Sequence, residues 1–126
     1  MMTNAQSKRI GIVGPTHATL MEEMAGLPPG TLKAAADEIG AFLAEKSLGL
    51  VCVPVKGVPL WALKAYKRVG GVDSLALWPR SPDESELSEA QTLGEPELAD
   101  RRREDLTWGE EPFELARISD CIIAIG

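Results

Sequence analysis

The sequence predicts a doubly wound α/β domain, with a parallel sheet and helices on both faces. Short apolar runs alternate with longer segments in which apolar residues recur every three or four positions. Two of these runs, at residues 10–13 and 121–125, lead directly into Gly14 and Gly126. Glycine at the carboxyl end of a parallel strand lets the backbone approach a ligand closely, so both ends are candidate binding positions.

The first half of the chain predicts two strands and a long helix between them. Residues 10–13 form the first strand, bounded by Gly14-Pro15. A long connection follows, with one helical turn at 20–24. An apolar stripe then predicts an amphipathic helix over 31–46, which Gly49 helps to end. The nearly unbroken apolar run at 50–55 is typical of a strand that is covered on both faces.

A second helix and a third strand complete a β-α-β-α-β order. Gly57 forms the turn, and Pro59 suits the first position of the helix. The predicted packing face of this helix consists of Trp61, Ala62, Ala65, Tyr66 and Val69. Gly70-Gly71 end the helix, and residues 74–78 form the third strand. By the handedness rule this order gives a parallel sheet flanked by helices.

The remainder is more charged. Ser81-Pro82-Asp83-Glu84 combines a cap, a proline and acidic residues, which indicates a helix start. We expect residues 80–106 to be an exposed insertion with one or two helices. Acidic neighbours largely cancel the charge of Arg101-Arg102-Arg103, so we interpret this cluster as a solvated helix face. Thr107 with Glu110 forms a second capping box that starts a helix through about 118, and 121–125 is the last strand.

Composition restricts the class of protein. The 126 residues suit a single domain, and 44% hydrophobic with 25% charged residues is ordinary for a globular chain. No apolar run approaches the roughly 20 residues that span a bilayer, and the N-terminus lacks a signal-peptide block, so we predict a cytoplasmic protein without membrane contact. A net charge of −6 argues against nucleic-acid binding. Cys52 and Cys121 lie in apolar runs, which favours small core residues in a reducing compartment.

Four blocks carry a family resemblance. They are Ile10-Gly-Ile-Val-Gly-Pro15, Ile39-Gly-Ala-Phe-Leu-Ala-Glu-Lys46 leading into Leu50-Val51, Gly70-Gly71, and Ala116-Arg-Ile-Ser-Asp-Cys-Ile-Ile-Ala-Ile-Gly126. In this order they resemble the Lonely-guy (lysine-decarboxylase-like) Rossmann superfamily, in particular its branch related to molybdenum-cofactor carrier proteins. The resemblance implies a Rossmann-like fold, a homodimer, and a nucleotide or molybdopterin-type ligand at the carboxyl ends of the strands.

Enzymatic members of this superfamily resemble phosphoribohydrolases, which cleave nucleoside 5′-monophosphates. A carboxylate would stabilise the oxocarbenium-like ribose, and an arginine would hold the phosphate. This sequence departs from that pattern at three places. Only Gly57 stands where the family has Gly-Gly, and Pro54 lacks a backbone donor. Glu111 aligns with the arginine. The Pro-Gly-Gly-x-Gly-Thr-x-x-Glu block would begin around Gly126 and is absent, so we expect an apparently truncated chain without hydrolase activity.

Candidate ligand contacts lie at the predicted strand ends. They are Gly14, Pro15, Thr16, His17, Lys56, Gly57 and Gly126. The alternative is an ordinary turn with His17 and Lys56 in solvent. A metal site at His17 is disfavoured because no second histidine or cysteine lies nearby. Trp61, Tyr66 and Trp78 could stack on a base but suit core or dimer-interface positions better, and solvated helix positions explain Glu22, Glu23, Glu110 and Glu111 better than ribose contacts.

Three hypotheses for the function remain open. The first is a Rossmann-like binding domain for a nucleotide-type or related phosphorylated cofactor, without catalysis. The second is a fragment of a nucleoside 5′-monophosphate phosphoribohydrolase, and the third is a non-binding dimerisation module. No complete catalytic constellation is present in these residues, so the sequence assigns no enzymatic activity.

Overall fold

A computed structural model describes residues 8–79, 94–107 and 109–126 of the chain. The strands are β1 (Arg9–Val13), β2 (Gly49–Cys52), β3 (Ser74–Leu77), β4 (Arg101–Arg103) and β5 (Cys121–Ala124). The helices are α1 (Ala18–Ala25), α2 (Thr31–Glu45), α3 (Val58–Arg68) and α4 (Glu111–Ile118), with a 3₁₀ turn at Pro96–Leu98. No helix in these ranges is long and apolar enough to cross a bilayer. The predicted helix start at Ser81-Pro82-Asp83-Glu84 lies outside the described residues.

The five strands form one parallel sheet in the order β4-β3-β2-β1-β5. In the register of the central strands, Ile10 lies beside Leu50 of β2 on one side and beside Cys121 of β5 on the other. The chain therefore moves outward in one direction from β1 to β4 and then returns to the other side of β1. This is the predicted doubly wound α/β architecture.

The two faces of the sheet are covered by different helices. On one face, Ile12, Leu50 and Cys52 pack in a single buried cluster with residues of α2 and α3, such as Leu43 and Leu63. On the other face, a smaller cluster joins Val51, Leu75 and Leu77 to Leu115 of α4. Successive residues of β2 therefore contribute to opposite clusters, which explains the continuous apolar run in the sequence.

Helices α2 and α3 approach each other closely at Gly40. A Cβ atom added to Gly40 would lie 2.2 Å from the carbonyl oxygen of Ala62 and 3.1 Å from the Cβ of Ala65. Only glycine has room at this crossing, although it is a poor helix former. Residues 31–46 were predicted as one helix, and the contact explains why a glycine is found inside it.

The interpretation of Arg101-Arg102-Arg103 as a helix face is wrong, because these residues form β4 at the edge of the sheet. Asp100 fixes the start of this strand. Its carboxylate accepts hydrogen bonds from the Ser74 amide at 2.9 Å and the Ser74 hydroxyl at 2.7 Å, and it pairs with Lys67. Burial opposes ionisation of Asp100, but these hydrogen bonds outweigh it, and its pKa lies below the ordinary value.

Other expectations need smaller corrections. Val69 is 42% exposed and is not part of the packing face of α3, since the helix ends at Arg68. Cys121 is exposed on edge strand β5, whereas Cys52 is buried as predicted.

The predicted helix start at Thr107 is wrong, because the helix begins at Glu111. Glu110 does accept a hydrogen bond from the Thr107 amide at 2.7 Å, but Gly109 between them has a φ of 102°, which is incompatible with a helix.

Candidate functional site

A cavity of about 560 Å³ lies at the carboxyl ends of β1 and β2. One half of its wall comes from the β1–α1 loop and α1, and the other half comes from the β2–α3 loop and α3. The lining residues are Thr16, His17, Ala18, Thr19, Leu20, Glu23, Lys56, Gly57, Leu60 and Trp61. The volume is within the range that holds small ligands and cofactors. Four sequence candidates, Thr16, His17, Lys56 and Gly57, therefore share one wall.

The two loops are held together at Gly57. The amide of Val58 donates a hydrogen bond to the carbonyl oxygen of Pro15 at 3.1 Å. Gly57 has a φ of 96°, and a Cβ atom there would lie 2.5 Å from the Pro15 oxygen and 2.7 Å from the Thr16 Cα. Both the backbone conformation and the close approach require glycine. Gly57 thus positions the loops as well as lining the cavity.

Two helix amino termini meet at this cavity. Helix α1 begins after His17 and α3 begins after Gly57, and neither of these cap residues makes a side-chain capping hydrogen bond. Neither first turn contains an acidic residue. At α3 the Val58 amide already donates to Pro15 and Pro59 has no N–H, so the first-turn amides that can serve a ligand are mainly those of α1. The positive dipole end of α1 lines the same cavity as the cationic Lys56. The part of the cavity wall at the amino end of α1 therefore favours an anionic group.

The amino terminus of α2 is already occupied by a side chain of the protein. Glu22 is only 5% exposed, and its carboxylate accepts hydrogen bonds from the Leu32 amide at 2.8 Å and the Gly30 amide at 3.2 Å. The interpretation of Glu22 as a solvated carboxylate is therefore wrong. No local sequence pattern indicates this role, because the bonded residues lie eight and ten positions away.

Glu23 and Trp61 extend the cavity beyond the predicted contacts. Glu23 is exposed and lines the α1 half of the wall, and the partly buried Trp61 lines the α3 half. The sequence favours a solvated helix position for Glu23 and a core or dimer-interface position for Trp61. Exposure of Glu23 agrees with the first interpretation, but both residues also line the space where a ligand would lie.

The other three sequence candidates lie near the cavity without lining it. Gly14 packs against Val58, since an added Cβ would be 2.5 Å from its Cγ1 atom. Gly126 has a φ of 121° and lies beside Pro15. Gly14 and Gly126 follow β1 and β5, the adjacent strands between which the strand order reverses, and such switch points are common ligand sites. Contact of Gly14, Pro15 and Gly126 with a ligand stays a prediction.

The remaining aromatic and acidic candidates have other surroundings. Tyr66 is a core residue, as its sequence position favoured: it is 1% exposed, and its hydroxyl donates to the Leu48 carbonyl at 2.7 Å. Trp78 lies against Gly94. Glu111 accepts a hydrogen bond from the Gly109 amide at 2.8 Å at the start of α4. Within the described part of the chain, no group of three or more potential ligands is arranged to hold a metal ion.

Fold and cavity together define a Rossmann-like α/β domain with its candidate site at the strand ends. Solved structures of this fold include the molybdenum cofactor carrier protein of Chlamydomonas reinhardtii, at 20% identity and a TM-score of 0.69, with 96% of this chain and 63% of that chain covered. The molybdenum cofactor binding protein of Rippkaea orientalis has 19% identity and a TM-score of 0.68, with 98% of this chain and 64% of that chain covered. The structural-genomics target TM1055 has 21% identity and a TM-score of 0.68, with 94% of this chain and 61% of that chain covered.

These comparisons confirm, at the level of the fold, the resemblance drawn from the sequence. The chain spans somewhat less than two thirds of the length of each of these structures. No protein-family model matches the sequence, and no curated protein matches it either.

Proposed function

We propose that this chain is a binding domain for a small phosphorylated ligand of nucleotide or molybdopterin type, held in the cavity between α1 and α3. The observation that carries the proposal is that the amino terminus of α1, which has no side-chain cap, lines one cavity together with Thr16 and Lys56. The shared fold with proteins named as molybdenum cofactor carrier and binding proteins supports the same class of ligand.

The phosphate group would lie at the helix ends. Amides of the first turn of α1, the hydroxyl of Thr16 and the ammonium group of Lys56 are the donors for its oxygens. Helix α2 is not available for this purpose because Glu22 accepts hydrogen bonds from its first amides. The proposal assigns binding to these residues and assigns no reaction.

Calorimetric titration with nucleoside monophosphates and with molybdopterin tests the proposal. We expect saturable binding, and we expect Lys56→Met to weaken it about 10- to 100-fold, as for loss of a charged hydrogen bond. Lys33→Met is the matched control, because Lys33 is an exposed lysine of α2 outside the cavity. If none of these ligands releases heat or raises the melting temperature, the binding function is overturned and the interaction-module hypothesis gains support.

We propose in addition that the protein is a homodimer through α4 and β5. Phe113 on α4 is 78% exposed and Ile122 on β5 is 45% exposed, so apolar surface is available at this side of the sheet. Sedimentation equilibrium at micromolar concentration should give a dimer, and Phe113→Asp should give a monomer. A monomeric wild-type protein would contradict the dimer without affecting the binding proposal.

We propose the cytoplasm as its location. Both cysteines have free thiols, which suits a reducing compartment. Fractionation of cells that express the tagged chain would test this directly.

A further inference from the structure

Two adjacent glutamates of α1 have opposite surroundings. Glu22 is buried and bonded to the amides of α2, whereas Glu23 lines the cavity. Within residues 8–79, 94–107 and 109–126, the carboxylate of Glu23 has no hydrogen-bond or salt-bridge partner. It is therefore an acceptor that a bound molecule can use. The partly buried Trp61 lines the other half of the same wall.

We infer that Glu23 selects ligands whose ring carries two adjacent N–H donors, as in guanine and 2-amino-4-oxopteridine, and that Trp61 stacks on the face of this ring. The inference rests on the proposed function, because it concerns the ring end of the ligand whose phosphate lies at the helix ends.

The selection follows from the donors and acceptors involved. An ionised carboxylate can only accept hydrogen bonds, and its two oxygens match two parallel N–H donors. The 2-amino group and the neighbouring ring N–H of guanine supply such a pair, as does the same edge of a 2-amino-4-oxopteridine. Adenine offers one donor beside a ring nitrogen whose lone pair would face the second carboxylate oxygen. Hypoxanthine keeps the ring N–H but lacks the amino group.

The stacking surface contributes affinity without this selectivity. All bases and pteridines have a π face, so an aromatic side chain binds them with little discrimination. Leu20 and Leu60 add apolar surface to the same wall. Trp61 would therefore stack on the face of the ligand ring, and the carboxylate of Glu23 would accept hydrogen bonds from the N–H groups at its edge.

The length of α1 separates the two ends of the ligand. Glu23 follows His17 by six positions on or beside the helix, which is about 9 Å at 1.5 Å per residue. Along the helix axis, the amino end of α1 and the backbone of Glu23 are thus far enough apart for a sugar or a short side chain to lie between the phosphate and the ring. This spacing suits a nucleotide or a phosphorylated pterin better than inorganic phosphate.

The test compares ligands that differ at the recognised edge. Titration calorimetry of GMP, IMP and AMP should give binding of GMP at least about 10-fold tighter than that of the other two. Glu23→Gln should reduce GMP binding to the level of IMP and leave AMP unchanged or tighter. The Glu23→Gln variant should keep its fold, because the Glu23 carboxylate has no partner to lose among the described residues. The same comparison is repeated with 6-hydroxymethylpterin and its lumazine counterpart, which has oxygen in place of the 2-amino group.

Two further variants separate edge selection from other effects. Glu38→Gln removes the same charge from an exposed position of α2 outside the cavity and should keep the preference for GMP. Trp61→Leu should weaken GMP, IMP and AMP by similar factors. Equal binding of GMP and IMP, or a preference that survives Glu23→Gln, would overturn the inference and leave the proposed function intact. If no nucleotide and no pterin binds, the proposed function fails together with it.

Discussion

The carboxylate of Glu22 accepts a hydrogen bond from the backbone amide of Leu32 at 2.8 Å, which connects the middle of α1 to the first turn of α2. The Gly30 amide donates to the other oxygen of the same carboxylate. The amino end of α2 has no capping side chain at its own cap residue, Gly30. A distant glutamate therefore supplies the hydrogen-bond acceptor that a local serine or aspartate usually provides.

Replacement of Glu22 tests the energetic contribution of this contact. Glu22→Ala should lower the free energy of unfolding by about 2 kcal/mol, because the buried Leu32 amide and the partly buried Gly30 amide lose a charged acceptor. Urea denaturation followed by circular dichroism measures the change. Glu23→Ala, one residue further, should stay within about 0.5 kcal/mol of the wild type. Equal stability of the two variants would show that the Glu22 contact contributes nothing.

Gly40 provides a second test, in which two effects have opposite signs. Gly40→Ala improves helix propensity by about 1 kcal/mol. The added methyl group would, however, meet the Ala62 carbonyl oxygen at 2.2 Å and push α2 away from α3. We expect a net loss of about 1–3 kcal/mol in chemical denaturation. Ala34→Gly on the exposed face of α2 is the control, and a stabilised Gly40→Ala protein would contradict the close packing of the helices.

Because the Tyr66 side chain is buried, we expect the stability of the protein to fall at high pH. Burial is the main factor that raises its pKa, and the nearby carboxylates of Asp73 and Asp100 act in the same direction. In the unfolded chain tyrosine ionises near pH 10, approximately. The phenol therefore stabilises the fold below that pH, and its contribution is lost as the pH rises further. Thermal denaturation should be measured between about pH 8 and about pH 11, a range that includes this pKa. The melting temperature should fall more steeply with pH for the wild type than for Tyr66→Phe.

The two thiols should differ in reactivity. Burial raises the pKa of Cys52 to about 12, whereas Cys121 is exposed on β5. In the native protein a disulfide-exchange reagent should modify one thiol quickly, because the thiolate is the reactive form and needs access. Both should react in denaturant, and Cys121→Ser should leave no fast thiol. Rapid reaction of Cys52 in that variant would mean that the core between β2 and the helices opens readily.

The central elements of the fold could be predicted because the residues that they bury are apolar and follow the spacing of a strand or a helix. Strands β1 to β3 carry apolar runs, and α2 and α3 carry apolar stripes. Strand β4 could not be predicted in this way. Its residues Arg101 and Arg102 are exposed, and its place in the sheet depends on backbone pairing with β3 and on the bonds between Ser74 and Asp100. Charged side chains are common on edge strands, but as a pattern they resemble an exposed helix.

The candidate site was predictable in part for a related reason. Thr16, His17, Lys56 and Gly57 follow strands, and parallel strands bring their carboxyl ends together. The different surroundings of Glu22 and Glu23 had no such signal. Adjacent helix positions point in different directions, and the partner of Glu22 is set by how the chain returns from α1 to α2. Only the tertiary structure separates the buried acceptor from the one that faces the cavity.

Helix α1 thus carries one carboxylate toward the cavity and the preceding one into the interior. Because Glu22 and Glu23 are neighbours on one short helix, we expect a ligand held by Glu23 to restrain α1 and with it the bond from the Leu32 amide to Glu22. Hydrogen–deuterium exchange at the Leu32 amide should then be slower in the presence of the ligand, although Leu32 does not line the cavity.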